Sequence, residues 1–375
     1  MTDLHLDLGA TVALPKEELD GLLANLRRAG YETIGPTVEN ETIVYAPVNS
    51  VSDLPFGYVN EQNPGRYRLS FTGHPRYFDA TPGPHTWKQY LFPSRLELFR
   101  LCKEGIGWKI EEEGHRPPRY AFIGVRPCEL AAIQVQDRVF MREDITDLTY
   151  RATRQGIFLL NVNCLHPSGT CFCASMNSGP KATGGFDLSL TELEDVFLCE
   201  VASEAGRMAM ANLPWEPASA YLLQLAQRGV ENARNRMGRA ISNVAELPDF
   251  LLDNLDHPEW EKVSTRCLGC TNCTQVCPTC FCWDVKENPS LDGTIARRER
   301  VWDSCFNPDY SYVFGGNSRP NIRARYRQWL THKFASWVKQ FGVSGCVGCG
   351  RCITWCPAGI DVTAEIAAMR EESQL

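Results

Sequence analysis

Long apolar runs are missing from this chain. No stretch approaches the roughly 20 apolar residues that a helix needs to cross a bilayer. An excess of basic charge is missing too. Lys and Arg number 38 against 45 Asp and Glu, a formal net charge of −7, which argues against nucleic acid as a partner, because phosphate binding needs surplus cations. The opening Met-Thr-Asp-Leu-His-Leu-Asp has neither the basic nor the apolar region of a secretory signal. The expectation is a cytoplasmic protein with no membrane partner. No Gly-x-Gly-x-x-Gly follows a predicted strand and no P-loop occurs, so no nucleotide site is indicated. Paired Cys-x-x-Cys near both chain ends, the arrangement a nickel site would use, is also absent. Nothing here performs the chemistry at either end of an electron path, so catalytic residues are expected on other chains.

What the sequence has in quantity is cysteine, 17 residues in 375. In a reducing cytosol thiols stay free, so such a chain binds metal more readily than it forms disulfides. The apolar fraction of 43% and charged fraction of 22% are ordinary for a globular protein of two domains.

Residues 1–255 read as an α/β or α+β domain. Leu19, Leu22, Leu23 and Leu26 have helical spacing, and Gly30 ends the run. Tyr31–Ile34 and Thr42–Val48 suggest a hairpin. Arg95–Lys103 reads as a helix capped by Ser94. Tyr120–Val125, Gly156–Val162 and Asp195–Ala202 read as buried strands, with a helix over Glu129–Phe140 between the first two. That order predicts a parallel pair with a crossover. Residues 217–243 read as helical. Composition shifts near Leu255, and residues 256–375 are expected to form a mostly helical dicluster ferredoxin-type domain with a basic helical insert at about 283–345.

Two runs carry the strongest signal. Cys267-x-x-Cys270-x-x-Cys273-x-x-x-Cys277-Pro278 and Cys346-x-x-Cys349-x-x-Cys352-x-x-x-Cys356-Pro357 share the bacterial ferredoxin spacing. In that pattern the fourth cysteine ligates the other cluster. Cys267, Cys270, Cys273 and Cys356 are thus expected to hold one [4Fe–4S] cluster, and Cys346, Cys349, Cys352 and Cys277 a second. Gly269, Gly348 and Gly350 permit the tight curl such loops need. Structural zinc is the alternative, but it takes four ligands, commonly as two separated pairs, and is poorly served by two matched quartets. Arg297, Arg298, Arg300, Arg319, Arg323, Arg325, Arg327, Lys333 and Lys339 make the insert basic. They read as a solvated face or, alternatively, as a docking surface or as charge that raises cluster potentials.

Cys128, Cys164, Cys171 and Cys173 fall at predicted strand ends of one α/β unit, where side chains converge. A third [4Fe–4S] cluster is expected there, with buried unrelated thiols, zinc or His166 as a ligand left open. Cys280, Cys282 and Cys305 are candidates for a further metal site that lacks a visible fourth ligand. Structural packing or redox-active thiols are the other readings. Cys102 and Cys199 read as core.

The Gly-Val-Arg-Pro-Cys-Glu-Leu-Ala-Ala-Ile stretch, Asn-Cys…Thr-Cys-Phe-Cys, Phe-Asp-Leu-Ser-Leu-Thr-Glu-Leu and Cys-Pro-Thr-Cys-Phe-Cys occur together. In this combination, from about residue 30 to 365, the chain resembles the β subunit of the soluble sulfhydrogenases. It is also similar to the iron–sulfur component of anaerobic sulfite reductase. The resemblance implies an electron-transfer subunit of an oxidoreductase complex. It would relay electrons between nickel–iron hydrogenase small and large subunits and a flavin- and NAD(P)-binding γ subunit. The second reading is a component of a sulfite or polysulfide reductase, and the third a redox sensor.

Overall fold

The computed structural model describes residues 6–111 and 117–373. The opening five residues, part of the stretch read for a leader, lie outside the described residues. An eight-stranded sheet organises the N-terminal part, in the order Glu216–Pro217, Thr11–Pro15, Val196–Val201, Leu188–Glu192, Phe158–Val162, Tyr120–Val125, Glu32–Glu39 and Thr42–Pro47. Tyr120–Val125 and Phe158–Val162 pair in parallel, as the sequence predicts. Their apolar runs are continuous because both sheet faces are covered. Ala121 and Ile123 pack with Leu19, Leu22, Leu23 and Leu26 on one face, while Phe122 and Val125 pack with Leu130, Ile133 and Trp87 on the other. Burying each such side chain contributes roughly 1.5–3 kcal/mol. The hairpin Glu32–Glu39/Thr42–Pro47 turns through Asn40 and Glu41 at φ +49° and +57°, the backbone of a tight two-residue turn.

Arg95–Glu104 is a strand, not the helix its leucine spacing suggests. It pairs on one side with Gly107–Glu111 and on the other with Ile295–Trp302, which itself pairs with Trp283–Pro289. The first half of the basic insert is therefore a β-hairpin completing a four-stranded sheet begun nearly 200 residues earlier. Its second half is helical as expected, running through Ile322–Thr331, a π-turn at His332–Ser336 and Trp337–Phe341. Around these helices the C-terminal core gathers Trp260, Phe306, Tyr326, Trp329, Phe334, Ile353 and Ile366. Among the described residues no helix is long and apolar enough to cross a membrane.

Two features aim the cysteines. A bulge at Ile123/Val125, with Gly124 at φ +80°, ends the Tyr120–Val125 strand. Bulges re-aim side chains at strand ends. Here the chain turns into the helix Pro127–Phe140, which places Cys128 in its first turn. In the second ferredoxin run Gly348 sits at φ +64°, and a Cβ there would meet the Phe172 backbone at 2.6 Å. The ferredoxin loop thus lies directly on the Cys171-Phe172-Cys173 segment, joined by Phe172 N–H donating to Gly348 O at 2.8 Å.

Candidate functional site

Three groups of cysteines converge. The outer group is Cys267, Cys270, Cys273 and Cys356, which together line about 450 Å³ of space free of protein atoms. The inner group, Cys128, Cys164, Cys171 and Cys173, lines about 430 Å³ together with Cys349, Arg126 and Arg351. Between them lies a middle group, where the charges of Cys346, Cys349 and Cys277 all act on Cys352. The order is fixed by two shared residues. Cys352 of the middle group also lines the outer space, and Cys349 of the middle group lines the inner one. Cys270 is exposed and Leu268 beside it is 69% exposed, so the outer group opens to solvent.

The local backbone explains this convergence. Both ferredoxin runs curl through positive φ, at Gly269, Gly348 and Gly350, as their glycines predict. Corresponding amides donate to sulfur in the two runs, Gly269 N–H to Cys267 Sγ at 3.5 Å and Gly348 N–H to Cys346 Sγ at 3.4 Å. The match breaks at one place. Where the second run has Gly350 at φ +77°, the first has Thr271 at φ +68°, a conformation that is strained for a β-branched residue. Thr271→Gly is expected to stabilise the chain by about 1 kcal/mol, read as an upward shift of the urea midpoint. In the N-terminal segment, extended backbone alternates its side chains. Cys171 and Cys173 face the inner space while Phe172 is buried in the C-terminal core.

Electrostatics set these groups apart from a set of unrelated thiols. Lys333 and Lys88 are both buried, and among the described residues neither has a carboxylate within ion-pairing distance. Instead the Lys333 ammonium donates to Cys277 Sγ and Thr279 Oγ1, each at 3.1 Å. Burial alone would discharge it, but the sulfurs of Cys277, Cys280 and Cys346 hold it charged, well above the usual lysine range. Lys88, whose pKa burial lowers to about 8, faces Cys280, Cys277 and Cys282 and lies 3.8 Å over the Trp302 ring. An unpaired buried cation costs several kcal/mol, and its compensation here is sulfur.

Around the outer space, the Tyr326 hydroxyl and the Trp329 indole N–H are buried donors without a partner among the described residues. Orphaned donors and uncompensated ammonium groups facing sulfur-lined spaces fit an anionic, sulfur-rich group. Burial pushes up the Cys128, Cys164, Cys171 and Cys173 thiols. Free, they are neutral, and a metal group would displace their protons. Among the described residues no three His, Cys, Asp or Glu side chains close on one point as ligands of a single metal ion would.

The inner and middle groups are tied by a buried ion pair. Arg351 donates to Glu129 at 2.5 Å and to Gly83 O at 3.0 Å. Glu129 also accepts from Tyr45 Oη at 2.7 Å, Trp87 Nε1 at 3.2 Å and the Arg126 amide at 3.1 Å.

Several expectations change. His166 pairs with Asp79 at 2.8 Å and does not line the inner space. Of the basic insert residues, Arg300, Arg325 and Lys333 are buried and not part of a solvated face. Arg300 pairs with Asp147 and stacks on Phe92, and Arg325 donates to Phe306 O at 2.9 Å. Cys199 is core, but Cys102 is half-buried on the four-stranded sheet, its thiol donating to Glu111 at 3.5 Å. Cys280 and Cys282 gather with Cys305 beside the middle group, within reach of Lys333. Sequence reasoning did not single out Lys88, Arg126, Glu129 or Arg351. Of these, only Arg126 and Glu129 carried a signal, flanking Cys128 in the Arg-Pro-Cys-Glu motif.

Comparison with known proteins agrees with this geometry. Residues 266–360 match the family model described as a 4Fe-4S dicluster domain. Over 366 residues the chain is 28% identical to sulfhydrogenase 2 subunit beta of Pyrococcus furiosus, covering 96% of this chain and 98% of that protein. No solved structure matches. The chain thus carries a dicluster iron–sulfur domain and is sulfhydrogenase-β-like along nearly its whole length.

Proposed function

We propose that this chain is the electron relay of a cytosolic sulfhydrogenase-type complex, a wire of three [4Fe–4S] stations. It would run between nickel–iron hydrogenase subunits and a flavin- and NAD(P)-binding subunit. Cys267, Cys270, Cys273 and Cys356 hold the outer station. Cys277, Cys346, Cys349 and Cys352 hold the middle one, and Cys128, Cys164, Cys171 and Cys173 the inner one. The clusters, when bound, supply one-electron transfer. The chain's own residues do the rest. They exclude water from the middle and inner groups, and they compensate charge through Lys333, Lys88, Arg126 and Arg351. They also keep successive groups adjacent through Cys352 and Cys349.

The observation that supports this reading best is the shared lining, one residue of the middle group facing each neighbouring group. The exposed outer group then serves as one electron port. Iron analysis of anaerobically prepared chain tests the count. About 12 iron atoms per chain are expected, from three groups of four. Cys128→Ala should bring this to about 8 while leaving the ferredoxin-type signals in place. Wild-type chain that carries about 8 and is unchanged by that substitution would remove the inner station.

A further inference from the structure

Cys282 and Cys305 lie outside all three groups, and the relay does not use them. Cys282 is half-buried and Cys305 buried. They come from separate elements. Cys282 immediately precedes the strand Trp283–Pro289, and Cys305 follows the strand Ile295–Trp302. Because these strands pair, with Trp283 opposite Trp302, their flanking residues are brought together. The Asp303 amide closes the approach by donating to Cys282 O at 2.9 Å. The Cys282 sulfur accepts from the Cys305 thiol, from the Cys305 amide and from the Tyr310 hydroxyl. Three donors on one sulfur favour its thiolate, and a thiol in contact with that thiolate is placed as its resolving partner. Trp283 and Tyr310 are exposed beside it, so the pair is reached from solvent. On its inner side lies Cys280, in contact with Cys277 of the middle group.

We infer that Cys282 and Cys305 form a redox-active dithiol through which the relay passes electron pairs to an external disulfide. The inference rests on the relay reading for its source of electrons. The Cys282 thiolate attacks one sulfur of the external disulfide, forming a mixed disulfide and releasing one thiolate. The Cys305 sulfur, its proton lost to solvent, then attacks Cys282, closing the Cys282–Cys305 disulfide and releasing the second thiol. Two electrons, delivered singly by the stations, and two protons from solvent return the pair to dithiol. The ligand class is a small or protein-borne disulfide, and the wire's one-electron steps are converted to a two-electron one.

The test uses the full iron-loaded chain, anaerobically, with 5,5′-dithiobis(2-nitrobenzoate) as the probe. Wild-type chain should yield a Cys282–Cys305 linked peptide by mass spectrometry without reductant. Cys305→Ser should instead retain one nitrobenzoate on Cys282. When the reduced chain is mixed with the probe, Cys282→Ser should slow reoxidation of its iron–sulfur absorbance by about tenfold or more, with iron content unchanged. Absence of the linked peptide, or wild-type reoxidation by both variants, overturns the inference. A linked peptide in a chain that carries no iron would defeat the relay reading and not the dithiol chemistry. If Cys282→Ser loses iron, Cys305→Ser carries the decision through its trapped adduct.

Discussion

Arg351→Ala is expected to lower unfolding stability by about 3–5 kcal/mol, the range for breaking a fully buried ion pair from one side. The size follows from what stays behind. Glu129 is 1% exposed, and its carboxylate would keep only neutral donors, Tyr45 Oη, Trp87 Nε1 and the Arg126 amide. Gly83 O would lose its partner as well. The same substitution unfastens the two halves of the chain, because Arg351 stands in the ferredoxin loop and Glu129 follows Cys128 in the N-terminal domain. Arg351→Lys should recover only part of the loss, since one ammonium cannot span Gly83 O and the carboxylate as the guanidinium fork does. Glu129→Gln is expected to be intermediate, keeping an acceptor but leaving the guanidinium uncompensated. Urea unfolding followed by tryptophan fluorescence reads all three, and a change below about 1 kcal/mol for Arg351→Ala would show that this pair does not join the halves.

That ion pair also marks where sequence reasoning stopped. The cysteine quartets were legible because cluster binding fixes both residue type and spacing, and local backbone chemistry at Gly269, Gly348 and Gly350 realises them. The leucine helix and the continuous run Tyr120–Val125 were legible because their burial follows the period of the element that forms. Arg95–Glu104 was not. Leu96, Leu98, Phe99 and Leu101 admit a helical spacing, and what makes them a strand is a partner at Ile295–Trp302, a nonlocal pairing that no window around residue 100 contains. Lys333 was misplaced for a related reason. In sequence it is one more cation on an amphipathic segment, but the π-turn at His332–Ser336 shifts the helical register there and the side chain is buried. Single-turn π-bulges inside helices are frequently found at functional sites.

The consequence of that burial is the largest electronic effect expected of any single non-cysteine side chain here. A fixed positive charge favours the more negative, reduced form of an anionic group, so it raises the reduction potential of the station it faces. Lys333 touches the middle group directly, at 3.1 Å from Cys277 Sγ. At an effective dielectric of about 20 and a separation of several ångströms, the charge is worth on the order of 2–3 kcal/mol. For one electron this is on the order of 100 mV, at about 59 mV per factor of ten. Lys333→Met, which keeps much of the volume and removes the charge, should lower one of three midpoint potentials by that amount in an EPR-monitored titration. The other two should move far less. Lys333→Arg should hold the potential near wild type if the side chain still reaches Cys277. Lys88→Met should shift the same station in the same direction by a smaller amount, because Lys88 bonds to Gln275 O and not to a sulfur of the group. A variant with full iron content and three unshifted potentials would mean that the middle station does not sense the Lys333 charge.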